Sequence, residues 1–221
     1  MFIVRPAKLI DCHTNGAGSG AELFIVEGDA ASLSVASARD PETQAVLPMQ
    51  GKPLNALRAA ESRVRAYDLF AALVAALGAG LGASFDLTQR RYDRVLLLMD
   101  PDADGIHCAV LMQMFFYRWM RPLLDAGYLE YVRAPVGEIQ RTGAARLFAY
   151  TEQHYQSLCG EASVRAGAAT ASAADAVAVR YRGLAAIGTQ TLADLCLDPA
   201  TRKTQPLSAR DVEMAIAVFG G

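Results

Sequence analysis

VLLLMDPDADG, residues 95–105, is the stretch of sequence that decides the fold. Its five leading apolar residues predict a short strand buried on both faces, as the strands of parallel sheets are. A second apolar run, LFIV at residues 23–26, is also followed by acidic residues, EGD at 27–29. In open α/β sheets functional groups gather at the carboxyl ends of the strands, so we expect both acidic clusters there.

The rest of the chain alternates between predicted strands and predicted helices. This alternation predicts an α/β fold with a mainly parallel sheet. Residues 160–176 are rich in Ala, Ser and Gly, which predicts a flexible insertion or linker. An apolar run at 45–49 is interrupted by Pro48. Further strands are expected at 129–132 and 177–181, and helices at 30–38, 56–77, 106–124 and 208–219, the last with Ser208 as N-cap.

The composition indicates a soluble, globular protein, since 52% of its 221 residues are hydrophobic and 20% are charged. With a net charge of −2, any affinity for DNA must come from local patches, metal ions or a partner. The apolar stretch 69–85 is too short to span a membrane, and the N-terminus makes a poor signal peptide. Four scattered cysteines, none in a CxxC pair, indicate a reducing, cytoplasmic compartment.

The acidic loop after the 95–99 strand has the spacing of a metal site. Asp100, Asp102 and Asp104 alternate, so in an extended segment their carboxylates point the same way. Three like charges this close repel one another, and a hard cation such as Mg²⁺ relieves the repulsion. Glu27 completes such a site if the two strands are neighbours.

Two other structures share this acidic pattern. A DxDxDG string also begins an EF-hand calcium loop, but here the twelfth loop position is Leu111 instead of Glu. The loop also follows a predicted strand, whereas an EF-hand loop follows a helix. A solvated acidic turn that binds nothing is the simplest alternative.

Several stretches of this sequence recur in one known family, in the same order. They are AELFIVEGDAAS (21–32), RDPETQAVLPMQGKPLNA (39–56), LVAALGAGLG (73–82), RYDRVLLLMDPDADGIH (91–107), FFYRWM (115–120), YRGL (181–184) and DPATRK (198–203). In them the chain resembles the Toprim and C-terminal tail region of bacterial type IIA DNA topoisomerase B subunits, those of gyrase and topoisomerase IV.

The resemblance implies a fold and a domain organisation. The fold is the Toprim fold, a Rossmann-like parallel sheet flanked by helices, with a smaller C-terminal tail subdomain. Residues 1–140 are then a Toprim domain with an N-terminal lead-in. Residues 141–221 are a tail segment that carries the 160–176 insertion.

The resemblance also implies a metal centre. Glu27, Asp100 and Asp102 match the family's metal-holding acids, and Asp104 is the accessory acid of the same loop. Lys52 matches a lysine beside the cleavage site, so the implied catalytic set is Glu27, Asp100, Asp102 and Lys52. The family uses Mg²⁺, with Mn²⁺ as an alternative ion, to position the scissile phosphate and stabilise the leaving 3′ oxygen.

DNA and a second subunit are the implied partners. Lys52, Arg39, His107 and Arg182 match positions in motifs that face double-stranded DNA in the family. The attacking tyrosine comes from a partner A-type subunit. The implied function is the metal-dependent cleavage and religation module of a type IIA topoisomerase, an ATP-hydrolysing isomerase that changes DNA topology. The chain has no room for the ATPase and transducer domains, so we expect no ATP site and no activity from the chain alone.

The sequence departs from the family pattern around the acids. The family's EGDSAGG is EGDAASL at 27–33, and its YKGLGEM is YRGLAAI at 181–187. The lysine of the family's AKQGR is absent from VASAR at 35–39. These departures leave open a catalytically decayed Toprim module that binds DNA or a partner protein. A metal-dependent nuclease that needs no partner is a third hypothesis.

Overall fold

Two sheets organise the chain in a computed structural model, which describes residues 6–168 and 176–219 and only the backbone of 162–168. The described strands are β1 (Glu22–Glu27), β2 (Gln44–Met49), β3 (Arg94–Leu98), β4 (Leu129–Val132), β5 (Gly137–Arg141), β6 (Leu147–Ala149), β7 (Ala176–Arg180) and β8 (Thr204–Pro206). The larger sheet has the order β2-β1-β3-β4-β8. Its first four strands are parallel and β8 is antiparallel, which confirms the predicted α/β class.

Helices cover both faces of this sheet. The α-helices are α1 (Gly28–Ala38), α2 (Glu61–Arg65), α3 (Asp68–Leu77), α4 (Ala103–Trp119), α5 (Arg121–Asp125), α6 (Glu152–Ala168), α7 (Thr189–Leu192) and α8 (Ala209–Phe219). A π-helical turn, Ala193–Leu197, continues α7, and short 3-10 turns lie at Gly82–Ser84, Leu87–Gln89 and Leu184–Ala186. Within the described residues, no helix is both long enough and apolar enough to cross a membrane.

The two apolar runs of the sequence form the middle of the sheet. β1 and β3 are hydrogen-bonded neighbours, and Val26 pairs with Leu98. Successive side chains of a strand point to opposite faces, so each run supplies both sides. Leu23, Ile25, Val95 and Leu97 join a core with α3 and α4. Phe24, Val26, Leu96 and Leu98 join a second core with α1 and the 3-10 turn at 184–186.

The helix after the acidic loop begins earlier than the sequence predicted. The Asp102 carboxylate accepts a hydrogen bond of 2.8 Å from the Gly105 N–H and caps α4, so the helix begins at Ala103. Asp104 therefore lies in the first helical turn, and the expectation of three acids along one extended segment was wrong. The predicted helix 106–124 is also two helices, because the backbone turns at Met120 (φ −138°, ψ 40°) before α5.

The other long helix prediction, 56–77, is divided in a similar way. α2 ends at Arg65, and α3 begins at Asp68 and stops at Gly78, whose φ of 70° is readily adopted only by glycine. Pro48, by contrast, does not end β2. This strand lies at the edge of the sheet, where a residue without an N–H is tolerated. Ile10 covers part of that edge through a bridge to Val46.

The C-terminal part of the chain forms the smaller sheet and then returns to the larger one. β5 pairs antiparallel with β6 and β7, and β5 runs through the expected boundary at residue 140. The predicted insertion 160–176 begins inside α6 rather than in a loop, and its last residue, Ala176, starts β7. Residues 169–175 of this segment lie outside the described part of the chain. The division of the chain at residue 140 stays a prediction.

Candidate functional site

The candidate site lies where β1 and β3 end. Glu27 is the last residue of β1, and Asp100 follows β3 by two residues, so both leave the same edge of the sheet. Among the described residues, the buried Oε2 atom of Glu27 has no hydrogen-bond partner. Burial raises the pKa of Glu27, and the charges of Asp100, Asp102 and Asp104 raise it further. The predicted adjacency of the two acidic clusters is confirmed.

Asp100 is half-buried and held by the tail of the chain. Its Oδ1 accepts a hydrogen bond of 2.8 Å from the backbone N–H of Leu184. Burial raises the pKa of Asp100, and the Leu184 N–H opposes this by stabilising the charged form. Gly105 packs directly on the backbone of Asp100, where a Cβ would clash with the Asp100 carbonyl group. The glycine of the DPDADG loop is therefore a packing requirement of the site.

The two remaining acids of the loop are exposed. Asp102 uses one carboxylate oxygen to cap α4, as described above. Asp104 Oδ1 lies 3.8 Å from the ammonium nitrogen of Lys52, in a solvent-exposed ion pair. The structure thus places Lys52 beside the acidic loop, and its catalytic role stays a prediction. The positive charge of Lys52 also lowers the pKa of Glu27, although less than the neighbouring acids raise it.

The donor set is made of oxygen atoms, which suits a hard divalent cation. Throughout residues 6–168 and 176–219, however, no three His, Cys, Asp or Glu side chains are arranged as a ready metal-binding group. Three of the acids already have partners, because Asp100 accepts from the Leu184 N–H, Asp102 accepts from the Gly105 N–H and Asp104 pairs with Lys52. The unsatisfied oxygen of Glu27 remains the atom that a cation would satisfy best.

Besides Lys52, two of the predicted DNA contacts lie near these acids. His107 is partly buried in the first turns of α4. Arg182 lines a cavity of about 300 Å³ together with Pro101, Asp102 and Gly183. Arg180 also lines this cavity, but its guanidinium is paired with Glu152 at 2.7 Å. Arg182 is exposed and is the arginine best placed to meet an anion beside the loop.

Arg39 is not brought to the site. Its guanidinium donates to the carbonyl oxygens of Gln44 and Asp11, at 2.6 and 3.2 Å. Gln44 is the first residue of β2, so Arg39 lies near the end of the sheet opposite to Glu27. The sequence motif around Arg39 gave no indication of these carbonyl partners, and the contact of Arg39 with DNA stays a prediction.

The sequence analysis assigned no individual role to several residues around the site. Asp29, in the first turn of α1, is held by Lys8 at 3.0 Å and by Gln50 at 2.8 Å. Cys108 lies in α4 close to Glu27, and burial raises the pKa of its thiol to about 11. Gly183 and Leu184 were noted only as part of a matching motif, because a backbone N–H donor leaves no signal in side-chain chemistry.

Comparison with known proteins agrees with this geometry. The family model of the Toprim domain matches residues 22–135, more than half of the chain. The DNA gyrase B protein of Archaeoglobus fulgidus is 35% identical over 219 residues, which are 99% of this chain and 33% of that protein. The gyrase B proteins of Halalkalibacterium halodurans and Staphylococcus aureus are 33% and 32% identical over 214 residues, 97% of this chain and 32% of each relative. The chain spans about a third of the length of these curated relatives.

Proposed function

The chain belongs to the Toprim domain family, and from this premise we propose that it is the metal-holding module of a type IIA DNA topoisomerase. The substrate is double-stranded DNA, and the attacking tyrosine comes from a partner A-type subunit. One observation carries the proposal. Where two adjacent parallel strands end, the buried Oε2 atom of Glu27 has no hydrogen-bond partner among the described residues, and the charges of Asp100, Asp102 and Asp104 raise the pKa of this acid.

The acids have distinct roles in this proposal. Glu27, Asp100 and Asp102 would hold Mg²⁺ or Mn²⁺, and Asp104 is the accessory acid. A bound ion neutralises charge on the scissile phosphate and on the leaving 3′ oxygen. Among the described residues, the buried Oε2 atom of Glu27 has no hydrogen-bond partner, and burial together with three like charges disfavours the ionised form of this acid, so Glu27 gains from a cation.

Basic side chains around the acids bind the DNA backbone. Lys52 lies 3.8 Å from Asp104 and is half-exposed, so its ammonium group can exchange this weak ion pair for a phosphate oxygen. His107 and Arg182 extend the contact along the strand on either side of the acidic loop. Together they orient the phosphodiester, while the carboxylates hold the cation that neutralises it.

The tyrosines near the loop support the need for a partner subunit. Tyr181 is buried, and burial raises the pKa of its hydroxyl far above the usual range. Burial raises the pKa of Tyr131 as well, and the nearby charge of Asp102 adds to this effect. A phenol that resists deprotonation is a poor nucleophile, so neither tyrosine is suited to attack a phosphodiester.

A metal titration tests the proposal directly. Thermal unfolding with increasing Mg²⁺ or Mn²⁺ should show stabilisation, about 2.7 kcal/mol at 100 times the dissociation constant. Asp100→Ala should abolish it, whereas Asp125→Ala, an exposed acid of α5 paired with Arg121, should not. In a plasmid assay, cleavage should require an added A-type subunit and should be lost in Asp102→Ala. Unfolding that ignores both metals at millimolar concentration contradicts the proposal.

A catalytically decayed binding module is the second candidate. It is favoured by the absence, among the described residues, of three acids already arranged for a metal. It also fits the family departures at 27–33 and 181–187. Such a module would bind DNA or a protein with an affinity that Mg²⁺ does not change, which separates it from the first candidate. Nicking of plasmid by the chain alone would instead favour a stand-alone nuclease.

A further inference from the structure

A turn from the tail of the chain closes over the carboxylate of Asp100. The turn is residues 181–184, directly after β7. On one side, the Leu184 N–H donates to Asp100 Oδ1 at 2.8 Å. On the other, a Cβ built on Gly183 would lie only 2.7 Å from Asp100 Oδ2, closer than real Cβ atoms approach. A residue with a side chain therefore cannot occupy position 183 while Asp100 keeps its place.

The backbone of the turn explains how the N–H reaches the carboxylate. Gly183 has φ 118° and ψ 171°, a conformation that is essentially restricted to glycine. This conformation points the following peptide N–H, that of Leu184, at Asp100. A site keeps its geometry best when the groups that hold its side chains are themselves fixed by packing and hydrogen bonds.

The turn is itself anchored at both ends. The Tyr181 N–H donates to the Val136 carbonyl oxygen at 3.0 Å, and the Tyr181 side chain is buried. The Leu184 side chain is fully buried in the second core, to which Leu98 of β3 also belongs. The Ile187 N–H closes the following 3-10 turn on the Leu184 carbonyl oxygen at 3.1 Å. The Leu184 donor therefore has little freedom to move relative to β3.

We infer that Gly183 and Leu184 are positioning residues for Asp100, and that the tail turn holds this carboxylate in one orientation for a divalent cation. The inference rests on the proposed metal role of Asp100. Partners that orient a metal ligand typically contribute 10- to 100-fold to metal affinity. The tail thus contributes to the metal centre by positioning one of its ligands. Disturbing the turn should therefore weaken metal binding without removing any ligand.

A pair of glycine variants tests the inference. Gly183→Ala adds a methyl group against Asp100 at a positive φ, whereas Gly16→Ala adds one at a φ of 127° with no atom within 4 Å. Both should lose stability without metal, because alanine is strained at either position. Calorimetric titration with Mn²⁺ should show a dissociation constant at least about tenfold higher for Gly183→Ala, and an unchanged one for Gly16→Ala.

The outcomes separate this inference from the proposed function. If the wild-type chain does not bind Mn²⁺, the proposed metal role of Asp100 is wrong. If the wild type binds Mn²⁺ and Gly183→Ala binds it equally well, the positioning role alone is wrong. Equal weakening in Gly16→Ala would also overturn the positioning role, because it would show a general effect of backbone strain.

A measurement on the wild-type chain decides the question should Gly183→Ala fail to fold. In an NMR titration with Mg²⁺, the amide resonance of Leu184 should shift, because its acceptor binds the cation. The amide of Gly16, which donates to the Arg91 carbonyl oxygen, should not shift. A Leu184 amide that stays unchanged while calorimetry records Mg²⁺ binding contradicts the inference.

Discussion

Arg202 donates to both carboxylate oxygens of Glu22, and both side chains are buried. Glu22 opens β1, and Arg202 lies 180 positions later, in the DPATRK stretch. Gln44, the first residue of β2, donates to the same carboxylate at 2.9 Å. The start of the central sheet and the end of the tail are therefore joined by one buried, charged cluster.

Arg202→Met should destabilise the chain by roughly 3–5 kcal/mol, because it leaves the Glu22 carboxylate buried without its cation. Urea unfolding measures this loss. Arg210→Met is the matched control, since Arg210 is exposed, and it should change stability by less than about 0.5 kcal/mol. A loss under about 1 kcal/mol for Arg202→Met would mean that the pair is solvated in solution.

Glu27→Gln should stabilise the metal-free chain at neutral pH. The pKa of Glu27 is raised above its ordinary 4.5, so the folded chain binds this proton more tightly than the unfolded chain does. Stability is therefore lost as the pH rises through the raised pKa, and the glutamine variant escapes that loss. We expect a melting temperature about 2–4 °C higher at pH 7.

The same comparison at lower pH and with metal gives the controls. The advantage of Glu27→Gln should shrink as the pH falls towards 4.5, because Glu27 of the folded wild type then takes up its proton, and does so at a higher pH than Glu27 of the unfolded chain. Added Mg²⁺ should reverse the order, because the variant lacks a ligand. Glu61→Gln, which removes an exposed partner of Arg65, should show no such pH dependence. A difference in melting temperature between Glu27→Gln and the wild type that is the same at pH 7 and at pH 4.5 would refute the raised pKa of Glu27.

The chain alone should bind duplex DNA weakly. Its net charge is −2, and the acidic loop repels phosphate. Few phosphates are neutralised, so the slope of log affinity against log salt should be on the order of 2 to 4. Lys52→Ala should lower that slope by about 1, whereas Arg121→Ala on α5 should leave it unchanged. Nanomolar affinity at physiological salt would show that the chain presents a larger basic surface to DNA than this prediction assumes.

Ser208→Ala should destabilise the N-terminal turn of α8. The Ser208 hydroxyl and N–H both donate to the Asp211 carboxylate, at 2.6 and 2.8 Å, and the hydroxyl oxygen accepts from the Asp211 N–H at 3.3 Å. Loss of such a cap costs about 1 kcal/mol. Ser37→Ala, on the exposed face of α1, is the control for chemical denaturation. Equal stability of the two variants would exclude the capping role.

The centre of the fold and part of the site could be predicted from the sequence, because both depend on strong local patterns. Continuous apolar runs at 23–26 and 95–98 became neighbouring parallel strands, and the acids after them necessarily emerged together. Ser208 was also recognised as a cap, since its role depends on residues three positions away. The apolar runs and the cap can be recognised from local sequence alone, whereas the pairing of β1 with β3 joins segments far apart in the chain.

The features that the sequence did not reveal depend on long-range contacts or on backbone geometry. The start of α4 at Ala103 follows from the cap by Asp102 and from the close packing of Gly105 on Asp100. The Arg39 guanidinium donates to the carbonyl oxygens of Gln44 and Asp11, partners that the sequence motif did not reveal. The hydrogen bond from Leu184 to Asp100 spans 84 positions and uses only a backbone donor.

The two outer strands of the large sheet each carry a proline, Pro48 in β2 and Pro206 in β8. An exposed edge strand can pair with a strand of another copy of the chain through its unpaired backbone N–H and C=O groups. Proline has no N–H and therefore interrupts this row of hydrogen-bond donors. β8 is also only three residues long, and Ile10 already bridges to β2. The borders of this sheet are therefore poor templates for aggregation, which protects a core made of uninterrupted apolar strands.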